Sequence, residues 1–169
     1  MPQPKGTPDS SVVNRTRKPF VLPGARGARL AWRELGAADG ECWLVLHGGP
    51  GASGHAGLGA PLELARQRAI LPDQRGAGAS RPRGRRAGNH LAQLVDDLER
   101  LRAAVGIERW PVLAGSWGTV LALAYAQRHP ARVERLVFRA AFRASRRELD
   151  GLLRLRRGRD GALRHACWP

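Results

Sequence analysis

Residues 110–129, WPVLAGSWGTVLALAYAQRH, decide the fold. The apolar run 110–114 predicts a strand, and residues 116–129 predict a helix that Pro130 ends. A serine on a tight turn between a strand and a helix is held clear of the sheet. The helix N-terminus directs backbone N–H groups at developing negative charge. Ser116 is therefore a candidate nucleophile, although an ordinary strand-to-helix turn also fits this pattern.

Strands and helices alternate on both sides of this segment. Residues 42–46 are an unbroken apolar run, which is typical of a strand buried on both faces of a parallel sheet. An apolar stripe with helical spacing follows Asn89, the expected N-cap, and Gly106 ends that helix. Further strands are predicted at 20–22, 30–32, 69–71 and 133–138, with a helix-like stretch at 61–68. The alternation predicts an α/β domain with a mostly parallel sheet flanked by helices.

The length of 169 residues suits one domain. Residues 1–17 are polar and rich in Pro, Ser and Arg, so we expect a disordered N-terminal tail. Residues 18–143 are expected to form the α/β core. Residues 144–169 are expected to form an Arg-rich amphipathic helix around Leu149, Leu152 and Leu153, followed by an irregular tail.

The charge balance is strongly basic, because 29 Lys and Arg residues against 14 Asp and Glu give a net charge of +15. Only Lys5 and Lys18 are lysines, and the arginines are spread from Arg15 to Arg164. An aromatic content of 5% offers few surfaces for stacking bases. We therefore favour arginine as a general solubilising cation over specific nucleic-acid recognition, and expect only non-specific adhesion to polyanions.

Other classes are disfavoured by what the sequence lacks. No apolar run approaches the 18 residues of a membrane span, and the N-terminal residues lack the apolar segment of a secretory signal. Cys42 and Cys167 are too few for a disulfide framework, and no Cys/His spacing typical of a metal site occurs. We expect a cytoplasmic protein with no metal.

Two further loops follow predicted strands. HGGPG at 47–51 has glycines that free the backbone to present an N–H toward the nucleophile, although a plain glycine-rich turn also fits. His47 itself is expected to be a structural loop residue and not a base. In DQRGAGAS at 73–80, Asp73 and Arg75 are expected to form an ion pair that fixes the loop.

HGGPG, then DQRGAGAS, then GSWGTVLALAYAQRHPARV at 115–133 together resemble the prolyl aminopeptidase (proline iminopeptidase) branch of the α/β-hydrolase fold. The resemblance implies that Ser116 is the acyl-forming nucleophile of a serine peptidase. Backbone N–H groups of Gly49 and Trp117 would then be the oxyanion donors. Loop support is implied for His47, Gly48, Pro50, Gly51, Gly115, Gly118, Asp73 and Arg75. The implied reaction removes N-terminal proline from a peptide and needs no metal or organic cofactor.

The same resemblance implies a triad acid and histidine later in the chain, behind a helical cap. The chain stops near the start of that cap, so we expect a truncated or frameshifted form of a longer enzyme, with negligible activity alone. Asp150 or Asp160 with His165 satisfies the chain order, but order alone does not establish triad geometry. The acid and the base therefore stay unassigned.

Two consequences remain open from the sequence. The strand at 133–138 is expected to be an unprotected sheet edge, which favours self-association. The alternative function is a non-catalytic, basic, hydrolase-like fragment that binds polyanions.

Overall fold

A mixed six-stranded sheet forms the centre of the molecule. The computed structural model describes residues 19–49, 51–84 and 87–143, with 145, 146, 148, 156–157 and 163–164. The sheet strands are β1 (Phe20–Pro23), β2 (Arg29–Gly36), β3 (Glu41–Leu46), β4 (Gln67–Asp73), β5 (Trp110–Ser116) and β6 (Val133–Ala141). Their spatial order is β1-β2-β4-β3-β5-β6; β2 is antiparallel to its neighbours, and the other pairs are parallel. The predicted class is confirmed.

Two helices, α1 (Leu91–Ala104) and α2 (Trp117–Arg128), pack on one face of this sheet. Successive strand residues point to opposite faces, so alternate residues of β3 serve two cores. Leu44 and Leu46 pack with the helices, whereas Trp43 and Val45 face the other side. That second core is covered by Leu58, Leu62 and Leu64. Burial of each large apolar side chain contributes about 1.5–3 kcal/mol.

The prediction of a helix-like stretch at 61–68 is wrong. A 3₁₀ turn at Ala56–Gly59 is followed by further turns, and β4 already begins at Gln67. Gln67 is opposite Glu41 in the parallel ladder with β3, and Arg68 is opposite Gly36 in the antiparallel ladder with β2. Pairing with two strands therefore overrides the local helical preference.

The N-cap of α1 is His90 and not Asn89 as predicted. The His90 Nδ1 accepts a hydrogen bond from the backbone N–H of Gln93 at 3.4 Å. The side-chain amide of Asn89 donates instead to the carbonyl oxygen of Arg75 at 3.2 Å. A tertiary contact thus uses the side chain that the local pattern assigned to capping. The predicted stop at Gly106 is confirmed by its φ of 72°.

Beyond the main sheet, a short antiparallel pair joins β7 (Arg156–Arg157) to β8 (Leu163–Arg164). Several predictions lie outside the described residues: the tail 1–17, the helix around Leu149, Leu152 and Leu153, and the candidates Pro50, Asp150, Asp160 and His165. In the part of the chain that the structure describes, no helix is long and apolar enough to cross a membrane.

The β6 strand lies at one end of the sheet order, next to β5. Its side chains are largely exposed, with Val137 and Phe138 exposed to 41% and 37%. These two residues point to opposite faces, so both faces of the strand present apolar surface.

Candidate active site

Ser116 occupies a strained turn between β5 and α2. Its backbone has φ 53° and ψ −127°, and its side chain makes no capping hydrogen bond to α2. A positive φ at a residue other than glycine costs on the order of 1–3 kcal/mol and persists only where the surroundings enforce it. The hydroxyl therefore lies on a sharp bend and not inside a continuous helix, as the sequence predicted.

The end of β6 supports this bend through Thr119. The Thr119 hydroxyl lies 2.7 Å from the carbonyl oxygen of Ser116 and 2.6 Å from that of Phe142. The backbone N–H of Phe142 donates to the same hydroxyl at 3.0 Å. Sequence reasoning missed both residues. A threonine three positions after Ser116 was an available signal, because such hydroxyls often contact the i−3 carbonyl; Phe142 has no local signal.

Two glycines, which have no side chain, allow the loop after β3 to approach the bend at Ser116 closely. A Cβ added to Gly48 would stand 3.1 Å from the Cβ of Ser116. A Cβ added to Gly118 would stand 2.8 Å from the carbonyl oxygens of both Leu46 and His47. The structure therefore brings together the two segments that the sequence analysis assigned to the nucleophile and the oxyanion loop.

Two candidate donors lie in this region. Gly49 has φ 103°, and a Cβ there would stand 2.7 Å from the backbone nitrogen of Ala52, so only glycine fits. Gly51, with φ 96°, is also in the left-handed region. Trp117 is the first residue of α2, and its N–H has no partner within the helix. The backbone N–H groups of Gly49 and Trp117 are thus not used by the hydrogen bonds of the helix or the sheet.

His47 is buried and held as a neutral imidazole. Its Nε2 accepts from the backbone N–H of Gln74 at 3.1 Å, so the ring proton lies on Nδ1, which is 2.6 Å from the carbonyl oxygen of Gly48. The Gln74 side-chain amide also donates to the His47 carbonyl at 3.0 Å. Burial lowers the pKa of His47, an effect that the Gly48 carbonyl and Asp73 only partly oppose. Both ring nitrogens are therefore committed to the loop framework.

The predicted ion pair between Asp73 and Arg75 is wrong. The fully buried Asp73 carboxylate accepts from the backbone N–H groups of Gly54 at 2.7 Å and Ala79 at 2.8 Å. It also accepts from the Arg33 guanidinium at 3.3 Å. The chain turns after β4 and wraps around this carboxylate, which leaves the Arg75 side chain pointing elsewhere. Asp73 thus joins three separate segments beside the site.

Arg75 pairs with Asp97 of α1 instead. The Arg75 Nη2 lies 2.7 Å from Asp97 Oδ1, and its Nε donates to Oδ2. Both side chains are more than nine-tenths buried. Burial raises the pKa of Asp97, and the guanidinium of Arg75 opposes that rise only in part. This buried pair fixes the 73–80 loop to the helix that packs beneath the sheet.

Among the residues that the structure describes, no side chain is positioned to accept the proton of the Ser116 hydroxyl. Within those ranges, the Ser116 hydroxyl has no histidine or carboxylate within hydrogen-bond distance. The same ranges contain no group of three or more His, Cys, Asp and Glu residues that could hold a metal ion.

Comparison with known proteins connects this geometry to a family. A model of the alpha/beta hydrolase fold matches residues 44–159. The chain is 41% identical over 143 residues to a proline iminopeptidase of Xylella fastidiosa, covering 80% of this chain and 46% of the relative. It is 44% identical over 139 residues to a probable proline iminopeptidase of Streptomyces coelicolor, covering 79% and 43%. The chain thus spans less than half the length of these curated relatives.

Comparison with solved structures also shows similarity to proteins of the alpha/beta hydrolase fold. A proline iminopeptidase-related protein from Thermus thermophilus superposes with a TM-score of 0.63 at 31% identity, covering 72% of this chain and 43% of that one. A haloalkane dehalogenase variant from Bradyrhizobium elkanii superposes with a TM-score of 0.63 at 29% identity, covering 76% and 42%. Similar backbones therefore occur in proteins with different named activities.

Proposed function

Because this chain belongs to the alpha/beta hydrolase fold family, we propose that it supplies the nucleophile half of a serine peptidase site of the prolyl aminopeptidase type. The observation that carries the proposal is the strained backbone of Ser116, with φ 53° and ψ −127°, at the junction of β5 and α2. The identities of 41% and 44% to named proline iminopeptidases support the substrate class, a peptide with N-terminal proline.

The proposed reaction proceeds through an acyl-enzyme. Ser116 Oγ attacks the carbonyl carbon of the N-terminal residue while a general base takes the hydroxyl proton. The carbonyl oxygen becomes an oxyanion that accepts hydrogen bonds from the N–H groups of Gly49 and Trp117. The C–N bond then breaks, the shortened peptide leaves with the proton, and water hydrolyses the ester to release proline.

The surroundings of Ser116 suit this role because hydrogen bonds and close packing connect the bend to its neighbours. Thr119 links the bend to the end of β6, and Gly48 allows the oxyanion loop to lie against the serine. A preorganised donor is not reoriented during the reaction, and loss of one such donor costs about 2.7–4 kcal/mol of transition-state stabilisation.

The general base is the part that the described residues do not provide. His47 is excluded by its own hydrogen bonds, since Gln74 donates to its Nε2. We therefore place the proton acceptor outside the described residues. Because the curated relatives are more than twice as long as the part that this chain matches, we propose that the acceptor lies in their unmatched half and expect the 169-residue chain alone to show negligible turnover. Removal of triad members costs on the order of 10⁶ in kcat in a serine protease. A cytoplasmic location stays part of this proposal.

The experiment adds the part of a curated relative that this chain does not match. The chain is co-expressed with the remaining C-terminal segment of the Xylella fastidiosa proline iminopeptidase, and release of proline from a prolyl-arylamide is measured. The proposal predicts turnover by the pair and background rates for each part alone.

Two variants assign that turnover to the proposed nucleophile. Ser116→Ala should lower kcat by at least about 10³-fold, whereas the exposed Ser53→Ala should leave it within about twofold. A pair that is inactive, or one whose turnover survives Ser116→Ala, contradicts the proposal. Robust Ser116-dependent turnover by the chain alone would instead overturn the claim that the base lies outside it.

A further inference from the structure

A group of exposed arginines lies where the β1–β2 hairpin meets the loop before α1. We call Arg26, Arg29, Arg81 and Arg83 the arginine surface; all four side chains are exposed. Arg29 and Arg81 exchange two backbone hydrogen bonds, of 2.8 and 2.9 Å, in an isolated antiparallel bridge. Arg26 reaches the same loop, because its Cδ lies 3.7 Å from where a Cβ on Gly88 would stand.

The bridge places two like charges opposite each other. Residues directly opposed in an antiparallel pair carry their side chains on the same face, with Cα atoms about 5.5 Å apart when hydrogen-bonded. Opposed like charges are destabilising unless a counter-charge lies between them. The Arg81 guanidinium also donates to the carbonyls of Gly78 at 3.2 Å and Ser80 at 3.1 Å, so its position is restricted before any ligand arrives.

Three members of the arginine surface have no carboxylate partner among the described residues. Nine arginines in the described ranges have a carboxylate within 4.0 Å, including Arg128 with Asp96 and Arg102 with Glu99. In those same ranges no carboxylate lies within that distance of Arg29, Arg81 or Arg83. At this bridge, Arg29, Arg81 and Arg83 therefore combine exposed positive charge with the absence of a carboxylate partner in the described ranges.

We propose that the arginine surface binds the phosphate backbone of a nucleic acid without sequence preference, independently of Ser116. Guanidinium groups match phosphate oxygens with two parallel N–H donors. The net charge of +15 acts over the whole length of an extended polyanion, which favours nucleic acid over a short acidic peptide. Phe20 and Trp32 stack on each other, with ring centroids 5.1 Å apart, and do not lie on the face that carries Arg29. We therefore expect contacts to the phosphate backbone of the nucleic acid to dominate over base stacking.

The experiment measures binding of a fluorescein-labelled DNA duplex of about 20 base pairs to the full chain by anisotropy across a salt series. The test variant carries Arg29→Gln, Arg81→Gln and Arg83→Gln. The matched control carries Arg109→Gln, Arg139→Gln and Arg143→Gln, which removes the same charge from three other exposed positions. The test variant should bind at least tenfold more weakly, and its log–log salt slope should fall by about 2–3, near 0.9 per lost phosphate contact.

Each remaining outcome decides the proposal. A variant carrying Arg29→Lys, Arg81→Lys and Arg83→Lys should keep most of the salt slope, which distinguishes lost charge from lost folding. Equal weakening by test and control variants would show that net charge alone drives binding, and absent binding would overturn the proposal outright. Displacement of the DNA by polyglutamate at equal charge concentration would assign the surface to acidic polypeptides. Ser116→Ala should leave binding unchanged, so failure here is separable from failure of the peptidase proposal.

Discussion

Gly118 lies so close to Leu46 that a Cβ on the glycine would stand 2.8 Å from the leucine carbonyl oxygen. The first turn of α2 is thereby pressed against the end of β3, where the oxyanion loop begins. Both atoms that would collide with the added Cβ are backbone oxygens, of Leu46 and His47, which cannot rotate away. This contact determines how closely the serine turn approaches the loop.

Gly118→Ala tests that contact, because helix propensity and steric overlap change the stability in opposite directions at this position. In an ordinary helix, alanine is more favourable than glycine by about 1 kcal/mol. Here the overlap with two carbonyl oxygens should instead destabilise the chain by about 2 kcal/mol, measured by urea unfolding. The control is Gly115→Ala, whose Cβ would meet only the Arg139 carbonyl at an ordinary 3.4 Å. A stabilised Gly118→Ala variant would show that the helix and loop are not in close contact.

Acidification should destabilise the chain through His47. Burial lowers the pKa of this histidine below its usual 6.5, so the unfolded state binds the proton more readily. The contribution is fully present above pH 6.5 and is lost as the pH falls below it, by at most about 1.4 kcal/mol per pH unit. Urea unfolding at pH 7.5 and 5.5 measures the difference.

His47→Gln should remove this part of the pH dependence, although the variant is less stable at both pH values. The exposed His55→Gln is the matched control and should keep the wild-type difference. If the His47→Gln chain loses as much stability on acidification as the parent does, the neutral, doubly hydrogen-bonded imidazole is not what the folded protein contains.

The buried Arg75–Asp97 pair should be costly to break. Asp97→Ala leaves the Arg75 guanidinium without this carboxylate in a site where both side chains are more than nine-tenths buried. We expect a loss of about 3 kcal/mol in the free energy of unfolding. Asp96→Ala removes the exposed partner of Arg128 and should cost less than about 1 kcal/mol. Similar costs for both variants would contradict the difference in burial on which this prediction rests.

The β6 edge should mediate self-association of the isolated chain. Val137 and Phe138 expose apolar surface on opposite faces of this strand, and an edge with these features readily pairs with another chain. Val137→Lys should shift the chain toward monomer in size-exclusion chromatography with light scattering. Leu123→Lys changes a similarly exposed apolar residue on the helix α2 and not on a sheet edge, so it should have little effect. A parent chain that is monodisperse and monomeric would refute the edge prediction.

Local pattern was sufficient where the chain's own spacing determines the structure. The apolar runs at 42–46 and 110–114 predicted buried central strands because a short, unbroken apolar run is typical of a strand covered on both faces. The strand, turn and helix around Ser116 were likewise readable, since Gly115 and Gly118 lie on either side of the serine. These features lie in the middle of the sheet, where strand pairing and local preference agree.

The wrong predictions concern side chains whose hydrogen-bond partners are not their neighbours in the sequence. Asp73 and Arg75 are two residues apart and oppositely charged, but Asp73 bonds to Ala79 later in its own loop and to Gly54 and Arg33, which are 19 and 40 residues away. Asn89 has the usual side chain of an N-cap, but it bonds to the Arg75 carbonyl, which leaves His90 to cap the helix. Sequence spacing carries no information on these contacts, so single-sequence reasoning assigned the residues to their nearest neighbours.

The stabilities of Ser116→Gly and Ser116→Ala show whether Ser116 lies on a positive-φ turn. Both substitutions delete the hydroxyl, and only glycine adopts φ 53°, ψ −127° without strain. We expect the free energy of unfolding in urea to be about 1–3 kcal/mol higher for the glycine variant than for the alanine variant. If alanine is instead the more stable by about 1 kcal/mol, as in a continuous helix, Ser116 is not on the strained turn and the nucleophile assignment fails.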